Sequence, residues 1–217
     1  NLKGQEWVDW CKERILEALR ITDGLVAFVV EGQTRKFRYS AAPILLMADL
    51  HRAGVHLRKP PLYVRHGIPG SGGPDWLKNR YEFVVCCTSG GRLPWSDNTA
   101  CGHPPKDKKF HVTTSRKVGG QRKVNGGRLP ETPYEGLKLA NPGNIIDCGS
   151  GSRLGNKLAH ENEAPFPEKL AEFFIKSFCP PDGKVYDPFA GSGTTLAVAK
   201  RLGRQFIGTD VRQSQVD

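Results

Sequence analysis

Apolar residues recur at every fourth position between Gln5 and Arg20 (Trp7, Cys11, Ile15 and Leu19) with charges between them, which predicts an amphipathic helix. Asp23 and Gly24 make a turn. Leu25 to Val30, LVAFVV, is an unbroken apolar run of the length expected for a parallel strand covered on both faces. Ser40 is placed to cap a second helix, AAPILLMADLHRA, with Pro43 in its first turn and Gly54 as its stop. His56 to Tyr63 reads as another strand, HGIPGSGGPDW as a flexible loop, and Tyr81 to Cys87, YEFVVCC, as a strongly apolar strand.

From Thr88 to about Arg153 the pattern changes to turn chemistry, with GG, PWSDN, HPP, VGG, NGG, ETP and NPG in succession and one compact apolar patch, GNIIDCG at Gly143 to Gly149. Regular patterning returns at Glu168 to Cys179, a helix with Leu170, Phe174 and Phe178 on one face, stopped by Pro180 and Pro181. A strand ending at Tyr186 then runs through DPFAGSG into a helix that starts near Thr194. A second strand, QFIGTDV, follows Gly203 and carries Asp210 at its carboxyl end.

That strand-turn-helix is the strongest chemical signal in the chain. Gly191 and Gly193 let the backbone take positive φ and let a ligand approach without a Cβ in the way, while the free N–H groups of the helix start face it. A phosphate-cradling loop needs Gly-Lys-Ser/Thr, but Thr194 and Thr195 follow Gly193; a dinucleotide site prefers a third glycine where Leu196 stands. What remains begins with an acid. Asp187 repels a pyrophosphate and suits a cationic ligand carrying an ammonium and a sulfonium, which describes S-adenosylmethionine. Asp210 lies near the interval at which a βαβ nucleotide site places the acid that holds ribose hydroxyls. A ligand-free tight turn is the bland alternative.

DPFAGSGTT followed by GRQFIGTDV resembles the cofactor half of the DNA amino-methyltransferases, which methylate the exocyclic amine of adenine or cytosine, and HENEAPFPEKL resembles the segment before the cofactor strand in members with permuted motif order. Asn79 to Val85 is similar to the strand that closes the first half of their sheet. The resemblance implies an α/β, Rossmann-like S-adenosylmethionine-dependent fold with a mostly parallel sheet and helices on both faces. It implies that Asp187, Pro188, Phe189, Ala190, Gly191, Ser192, Gly193 and Thr194 surround the methionine part of the cofactor, that Phe166 and Pro167 lie against its methionine end, and that Asp210 holds the ribose. It further implies three regions: residues 1–88 as the catalytic half, 89–155 as a target-recognition insertion, and 156–217 as the cofactor half. The family's catalytic loop, Asp, Asn or Ser followed by Pro-Pro and an aromatic, has no match here, because KPPLY, HPPK and CPPD carry the wrong flanks. No catalytic residue is therefore assigned. The loop is expected upstream of Asn1, and the chain is expected to be a fragment truncated at both ends.

Charge sharpens this reading. The net charge is +10, and Pro104 to Arg128 holds eight basic residues against one acid, Asp107. Lys106, Lys108, Lys109, Arg116, Lys117, Arg122, Lys123 and Arg128 are thus candidates for contact with the backbone of double-stranded DNA, where cations release counterions; a solvated basic loop explains the same residues. Tyr81 and Trp95 are candidates for stacking on a base, or for core packing. Six cysteines without a disulfide rhythm predict reduced, buried thiols, and Cys86, Cys87, Cys101, His103 and His111 lack the C-x-x-C spacing of a zinc site, so no metal is expected. No run of 18 apolar residues and no charged-then-apolar leader is present, so a cytoplasmic protein with no membrane span is the default.

The expected activity is site-specific methyl transfer to adenine or cytosine in DNA, in a restriction-modification setting with a restriction nuclease as a candidate partner. A catalytically inactive module that binds S-adenosylmethionine and DNA, and a methyltransferase acting on RNA or protein, are the alternatives.

Overall fold

The structure is a computed structural model and describes residues 3–65, 72–104, 117–118, 121–122, 138–148 and 167–212. Helix α1, Gln5–Ile21, buries Val8, Cys11 and Ile15. Trp7 and Leu19, the ends of the predicted stripe, are only partly covered, so the stripe is rotated toward Val8. Strand β1, Val26–Val30, follows. The chain then turns back on itself in a hairpin of β2, Thr34–Arg35, and β3, Arg38–Tyr39, which no hydrophobic pattern announces because every residue in it is exposed.

Helix α2, Ala42–Arg52, starts from Ala41 in the left-handed conformation at φ 52° with no side-chain cap. Ser40 does not cap it: its hydroxyl accepts from the Gln33 N–H at 3.0 Å, and its own N–H donates to the Gln33 carbonyl at 2.9 Å, closing the hairpin instead. The predicted strand at His56 to Tyr63 is two strands, β4, His56–Leu57, and β5, Leu62–Val64. Pro60 and Pro61 stand between them and supply no N–H for a ladder. Strand β6, Tyr81–Thr88, is the spine of the sheet and is buried from Val84 to Thr88.

Two short strands, β7, Lys117–Val118, and β8, Gln121–Arg122, pair antiparallel. Strand β9, Ile145–Asp147, realises the GNIIDCG patch. Then come α3, Glu168–Phe178, β10, Lys184–Asp187, α4, Thr194–Arg201, and β11, Gln205–Gly208. The sheet expected to be mostly parallel is mixed. In the five-stranded sheet, β1, β5 and β4 all run antiparallel to β6 and β5 runs parallel to β9, whereas β10 and β11 pair in parallel as a separate two-stranded sheet. Since β6 opposes both β1 and β5, the strands β1, β5 and β9 point the same way and share a carboxyl end.

The core is built around both faces of β6. One cluster joins Val8, Cys11 and Ile15 of α1 to Leu46 and Leu50 of α2 and to Val85 and Cys87 of β6. The opposite face, Val84 and Cys86, meets Tyr63, Ile146 and Leu170. This alternation is the period-2 pattern of a strand covered on both sides. Helix α3 links the halves, since Leu170 belongs to that second cluster while Ala171 and Ile175 pack on Val198 and Ala199 of α4. The face of α3 predicted from Leu170, Phe174 and Phe178 is shifted accordingly: Leu170, Ala171 and Ile175 are buried, and the phenylalanines are half-covered. All six cysteines are free thiols, and burial pushes Cys11, Cys87 and Cys148 up to about 11 and Cys86 up to about 12. Among the described residues no helix is long and apolar enough to cross a membrane, and no group of three His, Cys, Asp or Glu could hold a metal ion.

Candidate functional site

Strand β10 delivers Asp187 opposite Gly208 of β11, and the turn between β10 and α4 is held by backbone bonds to the end of β11. Thr209 N–H donates to the Asp187 carbonyl at 3.0 Å, Ala190 N–H donates to the Thr209 carbonyl at 2.9 Å, and Gly193 N–H closes on the Ala190 carbonyl at 2.8 Å. Gly191 lies at φ 51° and Gly193, the residue that starts α4, at φ 77°; here glycine is required by the backbone itself. A Cβ on Gly193 would meet nothing within 4 Å, so the space over the turn is open.

Asp187 aims one carboxylate oxygen back along the turn and accepts the Phe189 N–H at 3.0 Å. Asp210 is the second fixed acid. Its Oδ2 accepts the Gly191 N–H at 2.9 Å and its Oδ1 accepts the Arg212 N–H at 2.9 Å, with the Arg212 guanidinium 3.5 Å away. These backbone donors, that of Arg212 first and that of Gly191 second, hold its carboxyl below the ordinary value. Oδ1 is thus met by both the backbone and the side chain of Arg212, while Oδ2, with the Gly191 N–H on it, has room for a second donor. Helix α4, which follows the turn, has no side-chain cap on its first N–H groups. The combination suits a ligand that brings hydroxyls to Asp210 and positive charge to Asp187.

Two further features hold this geometry. Gly208 is required by space: a Cβ there would stand 2.5 Å from Leu196 Cδ1 and 3.0 Å from Ala190 Cβ, so glycine lets α4 lie on β11. Sequence reasoning passed over it, although the IGTD stretch contained the signal. Phe189, also in the turn, rests on Trp10 of α1 at 5.6 Å and edge-on against Phe28 of β1 at 6.1 Å, tying the turn to the first half of the chain.

Of the sequence-predicted cofactor residues, the structure brings together Asp187 to Thr194 and Asp210. Pro167 is buried as the residue that starts α3, and its neighbour Glu168 pairs with Arg201 at the end of α4 away from the turn. Phe166 lies outside the described residues, as do Lys106, Lys108, Lys109, Arg116, Lys123 and Arg128. Lys117 and Arg122 face each other in the register of β7 and β8. Tyr81, 44% exposed and edge-on to Phe83, sits opposite Val64 at the carboxyl end of β5. Beside it, burial pushes the Glu82 carboxyl up despite its pairing with Arg65, and pushes up Glu31, whose Oε2 has no partner among the described residues. A separate cleft of about 510 Å³, lined by Arg58, Arg92, Asn144, Phe173 and Phe174, opens at the amino ends of β1, β5 and β9, the end away from this cluster.

The family model described as DNA methylase matches residues 1–217. The chain is 29% identical over 215 residues to the orphan methyltransferase M.BamHII of Bacillus amyloliquefaciens, covering 95% of this chain and 77% of that one. It is 34% identical over 113 residues to the type II methyltransferase M.PvuII of Proteus hauseri, covering 50% of this chain and 32% of the other. Among solved structures, the PvuII DNA methyltransferase (cytosine-N4-specific) superimposes with a TM-score of 0.69 at 22% identity, over 100% of this chain and 70% of that one. The M1.HpyAVI–SAM complex gives 0.55 at 17% identity, over 98% and 79%. The mixed sheet with its helices is thus a Rossmann-like methyltransferase fold.

Proposed function

The chain belongs to the DNA methylase family, and on that premise we propose that it serves the transfer of a methyl group from S-adenosylmethionine to the exocyclic amine of adenine or cytosine in DNA. The observation that carries this reading is the bond from Gly191 N–H to Asp210 Oδ2, which fixes a glycine turn and a second acid around the uncapped start of α4. When bound, S-adenosylmethionine supplies a methyl on a sulfonium, already a good leaving group, so that positioning provides most of the acceleration. The residues present fit it. Asp187 balances the cofactor's positive charge, the backbone from Pro188 through Ala190 and Ser192 to Thr194 lines its methionine part, and Asp210 accepts from a ribose hydroxyl at the position left on Oδ2.

Residues 1–88 and 156–217 form the two halves of the methyltransferase core in this proposal, and residues 89–155 form the target-recognition region. Lys106, Lys108, Lys109, Arg116, Lys117, Arg122, Lys123 and Arg128 contact the duplex backbone, and the target base leaves the stack to present its amine.

Titration calorimetry with S-adenosylmethionine on Asp210→Ala and Asp210→Asn tests the site. Losing hydrogen bonds to a charged acceptor weakens binding by about tenfold or more in Asp210→Ala, with Asp210→Asn intermediate. Unchanged affinity in Asp210→Ala, with the melting temperature intact, ends the ribose assignment.

A further inference from the structure

The β2–β3 hairpin is built against its own stability. Its two central residues, Lys36 at φ 48° and Phe37 at φ 62°, both occupy the left-handed region, as a two-residue turn of the primed type demands; Asn-Gly satisfies that demand cheaply, but here two residues with long or bulky side chains carry it. Arg35 and Arg38 stand directly opposite one another, a like-charge pair that repels across the ladder. None of Arg35, Lys36 and Arg38 has an ion-pair partner among the described residues. At the tip, Phe37 is 69% exposed, with Trp76 edge-on at 5.5 Å as its ring neighbour. Strain, repulsion and an exposed aromatic in one six-residue element are not offset by burial.

Position gives them a use. The hairpin leaves the carboxyl end of β1, the end shared with β5 and β9 and the end at which open α/β sheets receive their ligands. Its base is anchored rather than loose. Tyr39 lies over Gly32, where an added Cβ would stand 2.5 Å from the ring, and its hydroxyl donates to Glu31 Oε1 at 3.3 Å, while Ser40 and Gln33 close the ladder. A hairpin anchored at its base thus carries three cations and one exposed apolar ring within four consecutive residues.

We propose that this hairpin is a DNA contact, with Arg35, Lys36 and Arg38 on phosphates and Phe37 stacking on, or wedging beside, a base of the bound duplex. A polyanion relieves the Arg35–Arg38 repulsion, and a base face covers the exposed ring; one ligand class answers both features. The inference rests on the DNA reading above and adds a contact outside the basic insertion.

The test measures binding of the whole chain to a fluorescent duplex of about 30 base pairs across a salt series, beside calorimetry with S-adenosylmethionine and thermal melting. Phe37→Ala and Phe37→Gly are expected to weaken duplex binding by about tenfold while cofactor affinity holds, and Phe37→Gly melts no lower than the parent because glycine relieves the turn. Arg35→Gln with Arg38→Gln lowers the salt slope by about 2. Duplex binding by the parent that is equal in Phe37→Ala, with an unchanged slope in the double variant, overturns the hairpin contact and leaves the DNA reading standing. A parent that binds no duplex at low salt overturns both. Tighter binding to single-stranded RNA, lost in Phe37→Ala, overturns the assignment to DNA.

Discussion

At the scale of single residues, Glu31 and Glu82 share one cation, Arg65, at the base of the hairpin. Burial is the first cause of the upward shift in both carboxyls, and the Glu82 charge adds to the rise at Glu31. A carboxyl raised in the folded state contributes stability that is complete below its ordinary value of 4.5 and lost as pH rises through the raised value. Glu31→Gln therefore raises the melting temperature at neutral pH, and its advantage over the parent shrinks as pH falls toward 4.5; differential scanning fluorimetry across that window checks the slope. A constant offset at every pH contradicts the shared-cation account. Asp187, Gly191, Gly193 and Asp210 were legible in the sequence because each answers a requirement that leaves few alternatives, positive φ or a fixed charge. Glu31, Glu82 and Arg65 were not, since their meeting depends on the register of β5 against β6.

At the scale of elements, the apolar runs gave the positions of α1, β1, β6, α3 and β10, while the surprises are elements whose cause is local backbone chemistry. Pro60 and Pro61 split one predicted strand in two, and the exposed hairpin carried no periodicity to read. Ser40, a good cap by residue type, was drawn into that hairpin, and α2 begins instead from a left-handed Ala41. Replacing Ala41 with glycine removes a Cβ clash at the cost of extra freedom in the unfolded chain. The net is a stabilisation of about 0.5–1 kcal/mol. Denaturant unfolding measures it; a destabilised Ala41→Gly means that the left-handed start is not where α2 is strained.

At the scale of the whole molecule, the glycine turn after β10 and the first half of the chain meet through Phe189, Trp10 and Phe28. This contact joins residues that are far apart in sequence, and no sequence pattern pairs them. A double-mutant cycle with Trp10→Ala and Phe189→Ala is expected to return a coupling of about 0.5–1.5 kcal/mol in unfolding, and both single variants loosen S-adenosylmethionine. Additive effects would make the two halves independent. The thiols carry a practical corollary. Burial raises the pKa of all six native cysteines, which leaves them sparing in thiolate and slow toward maleimides at neutral pH. A single cysteine placed at the hairpin tip is then the fastest-labelling sulfur in the chain, and a fluorophore attached there watches one surface of the native protein without stripping its interior of sulfur.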